Sequence, residues 1–239
     1  MTGLPVMLRC TIVRHPRRPR QSMAPAALIC EPMRVRRLIA DDRGEEIPLS
    51  GGEARLWRHA FAADESHRLF TELRRDIDWR QEEIVVFGTR RRVPRLVAWH
   101  GDTCARYTYS GVPHEPEPWT PPLRRARERV RRYTGAEFNA VLLNLYRDGR
   151  DSMGWHADDE PELGRDPVIA SVSLGAARRF CLRHKRHRSL RVELTLEDGS
   201  LLLMSGSTQR NWMHSVPGTA RPVGERINLT FRQVLPGFG

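Results

Sequence analysis

The sequence predicts a mainly β fold with flanking helices, and its C-terminal half has the pattern of a β-sandwich or a jelly roll. From Phe138 onward, short apolar stretches recur between Gly, Pro and Asp turns, which is typical of packed antiparallel sheets. Helical periodicity is confined to two stretches before that point. The chain has 239 residues, a length that suits one domain preceded by a tail.

The predicted tail covers residues 1–40. It is rich in Pro and Arg, contains a single acid, Glu31, and has no apolar periodicity, so we expect it to be basic and disordered. Residues 41–239 are then expected to form the domain, with a jelly-roll core at about 138–235.

Two helices are predicted in the N-terminal half of the domain. An apolar stripe that follows an acidic start predicts the first helix over about 64–76. The second follows a proline-rich stretch that ends at Pro122 and runs over about 123–133. Gly135 is expected to cap its C-terminus, since glycine readily adopts the left-handed conformation found there.

Strands are predicted between the two helices and throughout the C-terminal half. The stretch 106–110 alternates and places Tyr107 and Tyr109 on one face of a strand. The strands predicted after the second helix are 138–147, 168–175, 178–184, 190–196, 200–204, 212–216 and 225–234.

The composition is strongly basic, with 40 Lys+Arg against 29 Asp+Glu and a formal net charge of +11. Every basic residue except Lys185 is an arginine, a bias that GC-rich codon usage also produces. The excess is concentrated in residues 1–40, at +7, and in residues 80–135, at +6. A localised basic block favours a polyanionic partner such as nucleic acid.

Composition also excludes two classes of protein. No stretch approaches the ~18 apolar residues of a membrane span, so we expect a soluble monomer without a membrane partner. The four cysteines lie far apart and form no CxxC pair, which argues against a disulfide framework or a zinc knuckle and favours a reducing, cytoplasmic location.

A candidate metal site is formed by His156 and Asp158, with His214 further along the chain. Side chains two residues apart on an extended segment point to the same side, so both can bind one ion while a distant strand supplies the third ligand. Two histidines and one carboxylate leave coordination positions free and suit non-haem Fe(II) and oxygen chemistry. Alone, the HxD spacing is more often found in a solvated turn with an incidental histidine.

Two strands carry polar residues on one face that could bind an anion. Arg226, Asn228, Thr230 and Arg232 alternate with apolar residues on the last strand. Arginines on the inner face of a barrel would bind a carboxylate in a bidentate manner, although a strand with one solvent-facing side has the same pattern. Asn144 and Tyr146 likewise share a face of the strand 138–147.

These residues and several longer stretches resemble the AlkB family of Fe(II)/2-oxoglutarate-dependent nucleic-acid dealkylases, most closely the branch that acts on double-stranded DNA. The resemblance runs from about Val85 to Leu235 and is carried by the stretches NAVLLNLYRDGRDSMGWHADDE, PVIASVSLGAARRFCLRHK, GSLLLMSG, HSVPG and RINLTFR. It implies a double-stranded β-helix (jelly-roll) core with a nucleotide-recognition part at about 80–135. It also implies demethylation of 1-methyladenine or 3-methylcytosine with O2 as co-reactant, releasing formaldehyde, succinate and CO2.

The resemblance implies roles for eight residues of the site. The metal ligands would be His156, Asp158 and His214. The 2-oxoglutarate site would comprise Asn144, Tyr146, Arg226, Thr230 and Arg232. Arg232 and Tyr146 are expected to hold the distal carboxylate, with Asn144 and Arg226 nearer the metal.

Substrate contacts are implied for a further eight residues. Phe87 and Gly88 match a hydrophobic finger that fills the gap left by an extruded base, and Tyr107 and Tyr109 would line the base itself. Asp159 would contact its exocyclic amino group. The basic residues expected to face the phosphate backbone are Arg95, Arg183 and Lys185, with Arg90, Arg91 and Arg92 beside them.

Two alternatives to DNA demethylation remain at this point. The same chemistry could act on RNA, against which the Phe87 finger argues. The chain could also be a non-catalytic jelly-roll module that binds nucleic acid through its arginines, although such a module need not retain the complete His156, Asp158 and His214 set.

Overall fold

A seven-stranded and a four-stranded antiparallel sheet form the core of the fold. Two further strand pairs and two long helices flank them. The computed structural model describes residues 43–86, 89–105, 107–109 and 112–235, and the side chains of 84–89 and 106–114 lie outside this description. The prediction of a disordered tail therefore concerns residues that are not described. The mainly β fold and its jelly-roll core are confirmed.

The elements alternate between short strands and a few helical segments. The strands are β1 (Glu45–Ile47), β2 (Glu53–Trp57), β3 (Glu83–Val86), β4 (Thr89–Arg92), β5 (Leu96–Gly101), β6 (Tyr107–Tyr109), β7 (Val112–His114), β8 (Ala140–Tyr146), β9 (Met153–His156), β10 (Ile169–Gly175), β11 (Arg178–His184), β12 (Arg191–Leu196), β13 (Ser200–Ser205), β14 (Trp212–Val216) and β15 (Arg226–Arg232). The helices are α1 (Ala63–Asp76), α2 (Pro121–Thr134) and the short α3 (Thr208–Asn211), with a 3-10 turn at Pro161–Leu163.

The strand order explains how distant residues of the chain meet. The large sheet has the order β1-β2-β13-β10-β15-β8-β5, and the small sheet has the order β12-β11-β14-β9. Strands β8, β10 and β15 are central in the large sheet, and β14 lies between β11 and β9 in the small one. Side chains on the facing sides of these strands therefore converge between the two sheets.

Two apolar clusters hold the layers together. One joins α1 and α2 to the large sheet and includes Leu73 and Leu123 from the helices and Leu143 from β8. The other fills the space between the sheets, where Leu182 of β11 and Leu202 of β13 are fully buried. At roughly 25 cal/mol per Å² of apolar surface removed from water, these clusters are the main favourable term in folding.

Both predicted helices are present. Helix α2 begins at Pro121, two residues earlier than predicted, because proline suits the first helical turn, where no backbone donor is needed. Gly135 closes it in a left-handed conformation, with φ 67°. Five of its six arginines are engaged within the protein; for example, Arg125 pairs with Glu72, and Arg127 lies 4.4 Å above the Trp119 ring.

The main strands of the C-terminal half agree with their predicted positions within two residues. Strands β1, β2, β3, β4, β5 and β7 in the N-terminal half, and β9 beside the metal site, were not predicted. Strand β9 has four residues, two of them exposed, so it lacks the apolar alternation that identifies a strand in a sequence. No helix in the described part of the chain is long and apolar enough to cross a membrane.

Replacing Gly199 with alanine is expected to destabilise the fold by about 2 kcal/mol or more. Gly199 adopts φ +73°, and a Cβ there would lie 2.4 Å from the backbone oxygen of Phe61. Gly224→Ala is the matched control, because its Cβ would meet nothing closer than 3.9 Å. Urea unfolding of both variants measures the difference, and equal midpoints would contradict the prediction.

Candidate active site

A pocket between the two sheets brings together most of the predicted site residues. The residues that line it are Leu142, Asn144, Tyr146, Met153, His156, Asp158, Ser171, Phe180, Met204, His214, Val216, Asn228, Thr230 and Arg232. The polar ones come from β8, β10, β14, β15 and the end of β9. The apolar ones come from strands of both sheets.

The predicted metal ligands converge at one end of this pocket. His156 ends β9 and lies directly opposite His214 of β14 in the strand register. One ligand atom from each of His156, Asp158 and His214 lies within 4.8 Å of the others, and His214 Nε2 is 3.4 Å from Asp158 Oδ2. Three ligands on one side of a site leave positions free for a cosubstrate.

Neighbouring groups prepare these side chains to bind a cation. The ring of His156 has Nδ1 2.9 Å from the backbone oxygen of Gly154, so Nδ1 carries the proton and Nε2 is left as the ligand atom. The side-chain oxygen of Gln209 accepts a hydrogen bond from the Asp158 backbone N–H at 3.0 Å. Both contacts fix the orientation of a ligand without occupying its metal-binding atom.

Electrostatics keep the buried ligands in their metal-binding protonation states. Burial alone would raise the pKa of Asp158, but the charge of Arg232 and the two histidines outweigh it, and the pKa lies below its usual range. Burial and the neighbouring His156 lower the pKa of His214 to about 3. At neutral pH, Asp158 is therefore an ionised carboxylate and His214 is a neutral imidazole.

Lowering the pH from 7 toward 4 is expected to destabilise the metal-free protein. An unfolded histidine takes up a proton near pH 6.5, whereas His214 in the folded chain does so only near pH 3. The unfolded state thus binds more protons across this interval, so stability falls as the pH falls. Urea midpoints at pH 7, 5.5 and 4 measure the loss, and His214→Gln should reduce it. If the stability of His214→Gln depended on pH as that of the unchanged protein does, His214 would not be the cause of the loss.

A second group that could bind an anion lies behind the pocket-lining Tyr146, where the Arg226 guanidinium is 5.2 Å from the tyrosine ring. Arg226 is 1% exposed, lies opposite Tyr146 in the strand register and donates from Nη2 to the Ser173 hydroxyl at 2.8 Å. Its Nε and Nη1 atoms are buried without a hydrogen-bond partner in the described part of the chain. A buried guanidinium with unused donors is costly, and a carboxylate ligand would supply a charge-assisted acceptor.

The expected pairing of Arg232 with Tyr146 on one carboxylate is wrong. Arg232 hydrogen bonds to the metal ligand Asp158 and lies opposite Ala140 in the register. Tyr146 pairs with Arg226, six residues away along β15, which is about 20 Å in an extended strand. Arg226 and Tyr146 therefore form the end distant from the metal, and Arg232 belongs to the metal end. The sequence could not reveal this order without the register.

Arg95 is also not a phosphate-facing residue. It is 4% exposed, and its Nε donates to Asn144 Oδ1 at 2.7 Å, so it holds the Asn144 amide in the pocket. Its position shortly after the arginines at 90–92 suggested a continuous basic surface, but the chain turns inward between β4 and β5. Arg90, Arg91 and Arg92 are exposed, as expected.

Thr230, the remaining residue of the predicted cosubstrate site, is part of a chain of hydrogen bonds. Thr230 lines the pocket, and its hydroxyl donates to Asn228 Oδ1 at 3.0 Å. Asn228 in turn donates to the Ser171 hydroxyl at 2.8 Å. This chain of hydrogen bonds fixes the polar face of β15 against β10.

Two predicted substrate residues pair with each other. Lys185 Nζ donates to Asp159 Oδ2 at 2.8 Å, so the ammonium that was expected to face a phosphate is engaged beside the metal ligands. Arg183 stacks over the ring of Trp155 at 4.3 Å. Trp155 precedes the ligand His156 and is 38% exposed, which makes this aromatic ring a surface feature next to the site.

The predicted finger and base-lining residues are described only in part. Phe87 and Gly88 lie outside the described residues, between β3 and β4. Tyr107 and Tyr109 lie on β6, as predicted, but their side chains are outside the description. Their proposed contacts with a base are therefore predictions.

Several residues of the site were missed by the sequence analysis. Gln209, Ser173 and Arg178 are buried, and a sequence pattern gives no signal that their partners lie across the fold. Arg178 donates to the backbone oxygens of residues 148, 151 and 217 and lies 5.4 Å from the Tyr146 ring. Glu160 places a buried carboxylate oxygen, without a hydrogen-bond partner among the described residues, directly after the acids 158 and 159.

Comparison with known proteins agrees with this geometry. Residues 53–232 match a family model described as the 2OG-Fe(II) oxygenase superfamily. The chain is 41% identical over 220 residues to the mouse (Mus musculus) DNA oxidative demethylase ALKBH2, covering 81% of this chain and 92% of that protein. It is 44% identical over 186 residues to the Bos taurus protein of that name, covering 74% of this chain and 67% of that protein.

Two further comparisons extend the relationship. The human (Homo sapiens) alpha-ketoglutarate-dependent dioxygenase alkB homolog 3 is 42% identical over 181 residues, which covers 72% of this chain and 63% of that protein. The solved structure of OsALKBH1 superposes with a TM-score of 0.51 at 17% identity, covering 79% of this chain and 100% of that one. At that identity the structure supports the fold alone.

The family determines which groups this pocket holds. The buried histidine and carboxylate ligands fit Fe(II), and the unused donors of Arg226 fit a carboxylate of 2-oxoglutarate. The chain is an Fe(II)/2-oxoglutarate-dependent dioxygenase that uses O2. A family model that spans most of the described residues, together with relatives above 40% identity over more than two thirds of the chain, places this protein in the AlkB family of the 2OG-Fe(II) oxygenase superfamily.

Proposed function

We propose that this protein repairs DNA by oxidative demethylation of N-alkylated bases such as 1-methyladenine and 3-methylcytosine, with release of formaldehyde, succinate and CO2. The observation that carries the proposal is a His-Asp-His cluster in the pocket together with the buried Arg226 guanidinium, which lies 5.2 Å from the ring of the pocket-lining Tyr146. Relatives of more than 40% identity that are named DNA oxidative demethylase support the choice of substrate.

The residues at the two ends of the pocket divide the binding of the cofactors. His156, Asp158 and His214 would hold the iron, which together with 2-oxoglutarate and O2 supplies the oxidising power for attack on an N-methyl carbon. Arg226 and Tyr146 would bind the distal carboxylate of the cosubstrate. Asn144, held by Arg95, would orient its other end, and Arg232 keeps Asp158 ionised for the metal.

The walls of the pocket serve the reaction by excluding water. Phe180 stacks against His214, with ring centroids 5.3 Å apart, and Leu142 and Met204 line the pocket between the polar groups. A dry site strengthens the charge interactions of the bound groups and protects reactive species from side reactions. The protein thus positions the cofactors and shields them.

The base would approach beside the metal ligands. A methyl group on N1 of adenine or N3 of cytosine gives the base a positive charge and prevents pairing, which lowers the cost of extruding it from the duplex. Asp159 has one carboxylate oxygen bonded to Lys185, and Glu160 follows it with a buried oxygen. Carboxylates at this position suit a cationic base and its exocyclic amino group.

The test is direct. Full-length protein incubated with Fe(II), 2-oxoglutarate, ascorbate and a 1-methyladenine oligonucleotide should remove the methyl group and release one formaldehyde per repaired base. Single-stranded DNA, double-stranded DNA and RNA substrates are compared in parallel, with His156→Ala as the inactive control. Faster turnover of the RNA substrate would reassign the function to RNA, and no turnover by protein with bound metal and cosubstrate would overturn catalysis on nucleic acid.

Replacing Arg183 with alanine is expected to weaken DNA binding and to lower the salt slope of log K by about 1, as for the loss of one phosphate contact. Stacking on Trp155 holds the guanidinium flat on the surface, where it makes no hydrogen bond or ion pair with other described residues. Fluorescence anisotropy at several salt concentrations measures the slope. Arg179→Ala, on the same strand but paired with Glu193, is the control, and equal slopes in all three proteins would refute the contact.

A further inference from the structure

Lys185 is the one lysine among 40 basic residues of the chain, and its ammonium group is engaged next to the metal ligands. Nζ donates to Asp159 Oδ2 at 2.8 Å and to the backbone oxygen of Gln209 at 2.7 Å. The side chain is 29% exposed. One ammonium group thus joins the loop after β9 to the short helix α3.

The second contact leads to the metal ligand itself. Gln209 is fully buried, and its side-chain oxygen accepts the backbone N–H of Asp158 at 3.0 Å. Lys185 holds the backbone of Gln209, and Gln209 holds the backbone of Asp158. The ammonium therefore acts on both adjacent acids, on Asp159 directly and on Asp158 through one intermediate residue.

The shape of this site suits an ammonium better than a guanidinium. Lysine ends in a compact group whose three donors diverge from one atom, and arginine ends in a wide planar fork. At Lys185 two acceptors from different segments lie within 2.8 Å of a single nitrogen. A guanidinium would have to displace one of them.

We propose that Lys185 is a positioning residue, which fixes the metal ligand Asp158 and orients the Asp159 carboxylate so that one oxygen stays available to a substrate. The Asp159 part rests on the proposed function, whereas the metal-binding part does not depend on which substrate is used. The alternative role for Lys185 is a contact with a DNA phosphate. In that role any positively charged side chain at this position would bind the phosphate.

The partly exposed Lys185–Asp159 pair contributes little to stability, as such pairs are worth about 0–1 kcal/mol. Substitutions of Lys185 should therefore fold normally. The backbone N–H of Lys185 also donates to the Asn211 oxygen at 2.7 Å, and this bond remains in every variant. A change of side chain thus removes the ammonium contacts and leaves the strand in place.

The experiment compares Lys185→Arg, Lys185→Met and the control Arg186→Met, a neighbouring exposed cation. Calorimetric titration of metal-free, full-length protein with Co(II) needs neither substrate nor turnover. Both Lys185 variants should bind Co(II) roughly tenfold more weakly, the lower end of the effect of residues that orient metal ligands. Arg186→Met should bind Co(II) as the unchanged protein does.

Nucleic-acid binding separates the two roles. The salt slope of DNA binding should be unchanged in Lys185→Arg and Lys185→Met, because no phosphate contact is lost. Unchanged Co(II) affinity in Lys185→Met would overturn the proposal, as would Co(II) affinity fully retained by Lys185→Arg. Failure of DNA binding by the unchanged protein would instead count against the proposed function and leave the Co(II) result interpretable.

A second measurement uses the single lysine as a chemical probe. Because an amine-acetylating reagent has one lysine side chain to modify, peptide mapping reports on Lys185 alone. Asp159→Asn should release the ammonium and raise its acetylation rate several-fold. An equal rate in both proteins would show that Asp159 does not hold Lys185 and would overturn the proposal.

Discussion

Replacing Arg226 with methionine is expected to weaken 2-oxoglutarate binding by 30-fold or more and to remove activity at ordinary cosubstrate concentrations. Loss of charge-assisted hydrogen bonds to a buried carboxylate costs about 2–4 kcal/mol, and each 1.4 kcal/mol is a factor of ten. Arg226 is the buried cation opposite Tyr146 at the end distant from the metal. Anaerobic titration of the Fe(II) protein with 2-oxoglutarate, followed by its visible charge-transfer band, measures the affinity.

The same variant should keep its stability, which distinguishes lost binding from lost folding. Without the cosubstrate, Arg226 is a buried charge with two unused donors, so an apolar side chain of similar length removes a desolvation penalty. The urea midpoint of metal-free Arg226→Met should be unchanged or higher. Arg179→Met, an exposed change on β11, is the control. Near-normal 2-oxoglutarate affinity in Arg226→Met would show that another residue binds the distal carboxylate.

Elements whose pattern repeats locally could be predicted from the sequence. The alternation on β15 separates its polar face from its apolar face, and the structure places the polar residues 226, 228, 230 and 232 on the inner side. The HxD spacing and His214 likewise converge as expected. In each case the information lies in the period of two that every extended strand imposes.

Contacts that depend on how strands are aligned could not be predicted. The sequence does not show that Arg226 lies opposite Tyr146. The predicted pairing therefore placed Tyr146 with Arg232, the arginine at the other end of β15. Arg95 presented the same problem in another form. Its position after a run of arginines predicted an exposed side chain, but in the structure the side chain of Arg95 is buried and donates to Asn144.

Neighbouring segments of the site also came together without a sequence signal. Lys185 and Asp159 are separated by 26 positions, and Gln209 reaches Asp158 across 51. Hydrogen bonds of this kind follow from the packing of β9, β11 and α3 around one end of the small sheet. Lys185 and Gln209, which belong to no recognisable sequence motif, can therefore determine the geometry of the metal ligands.

Replacing Asp158 with alanine is expected to abolish turnover and, unlike the Arg226 change, to destabilise the metal-free protein. Asp158 is buried and supplies a ligand atom to the cluster, so two histidines would remain to hold the iron, and activity should fall below detection. The carboxylate is also the buried partner of Arg232. Removing one member of a buried ion pair costs about 3–5 kcal/mol, because the other charge stays in a dry environment.

The Arg226 and Asp158 substitutions are thus expected to have different effects on stability, although each removes a buried charge. Formaldehyde release measures the turnover of Asp158→Ala and urea unfolding of the metal-free protein measures its stability, with Asp166→Ala, an exposed acid paired with Arg210, as the control. Because Asp158 carries its charge in the folded state to unusually low pH, its stabilising contribution should be complete from neutral pH down to about 4, where an unfolded aspartate takes up a proton, and should be lost as the pH falls further. If Asp158→Ala were as stable as the unchanged protein at pH 7, the buried Arg232 would not depend on this carboxylate. Arg232 would then have to be assigned to the cosubstrate rather than to the metal ligand.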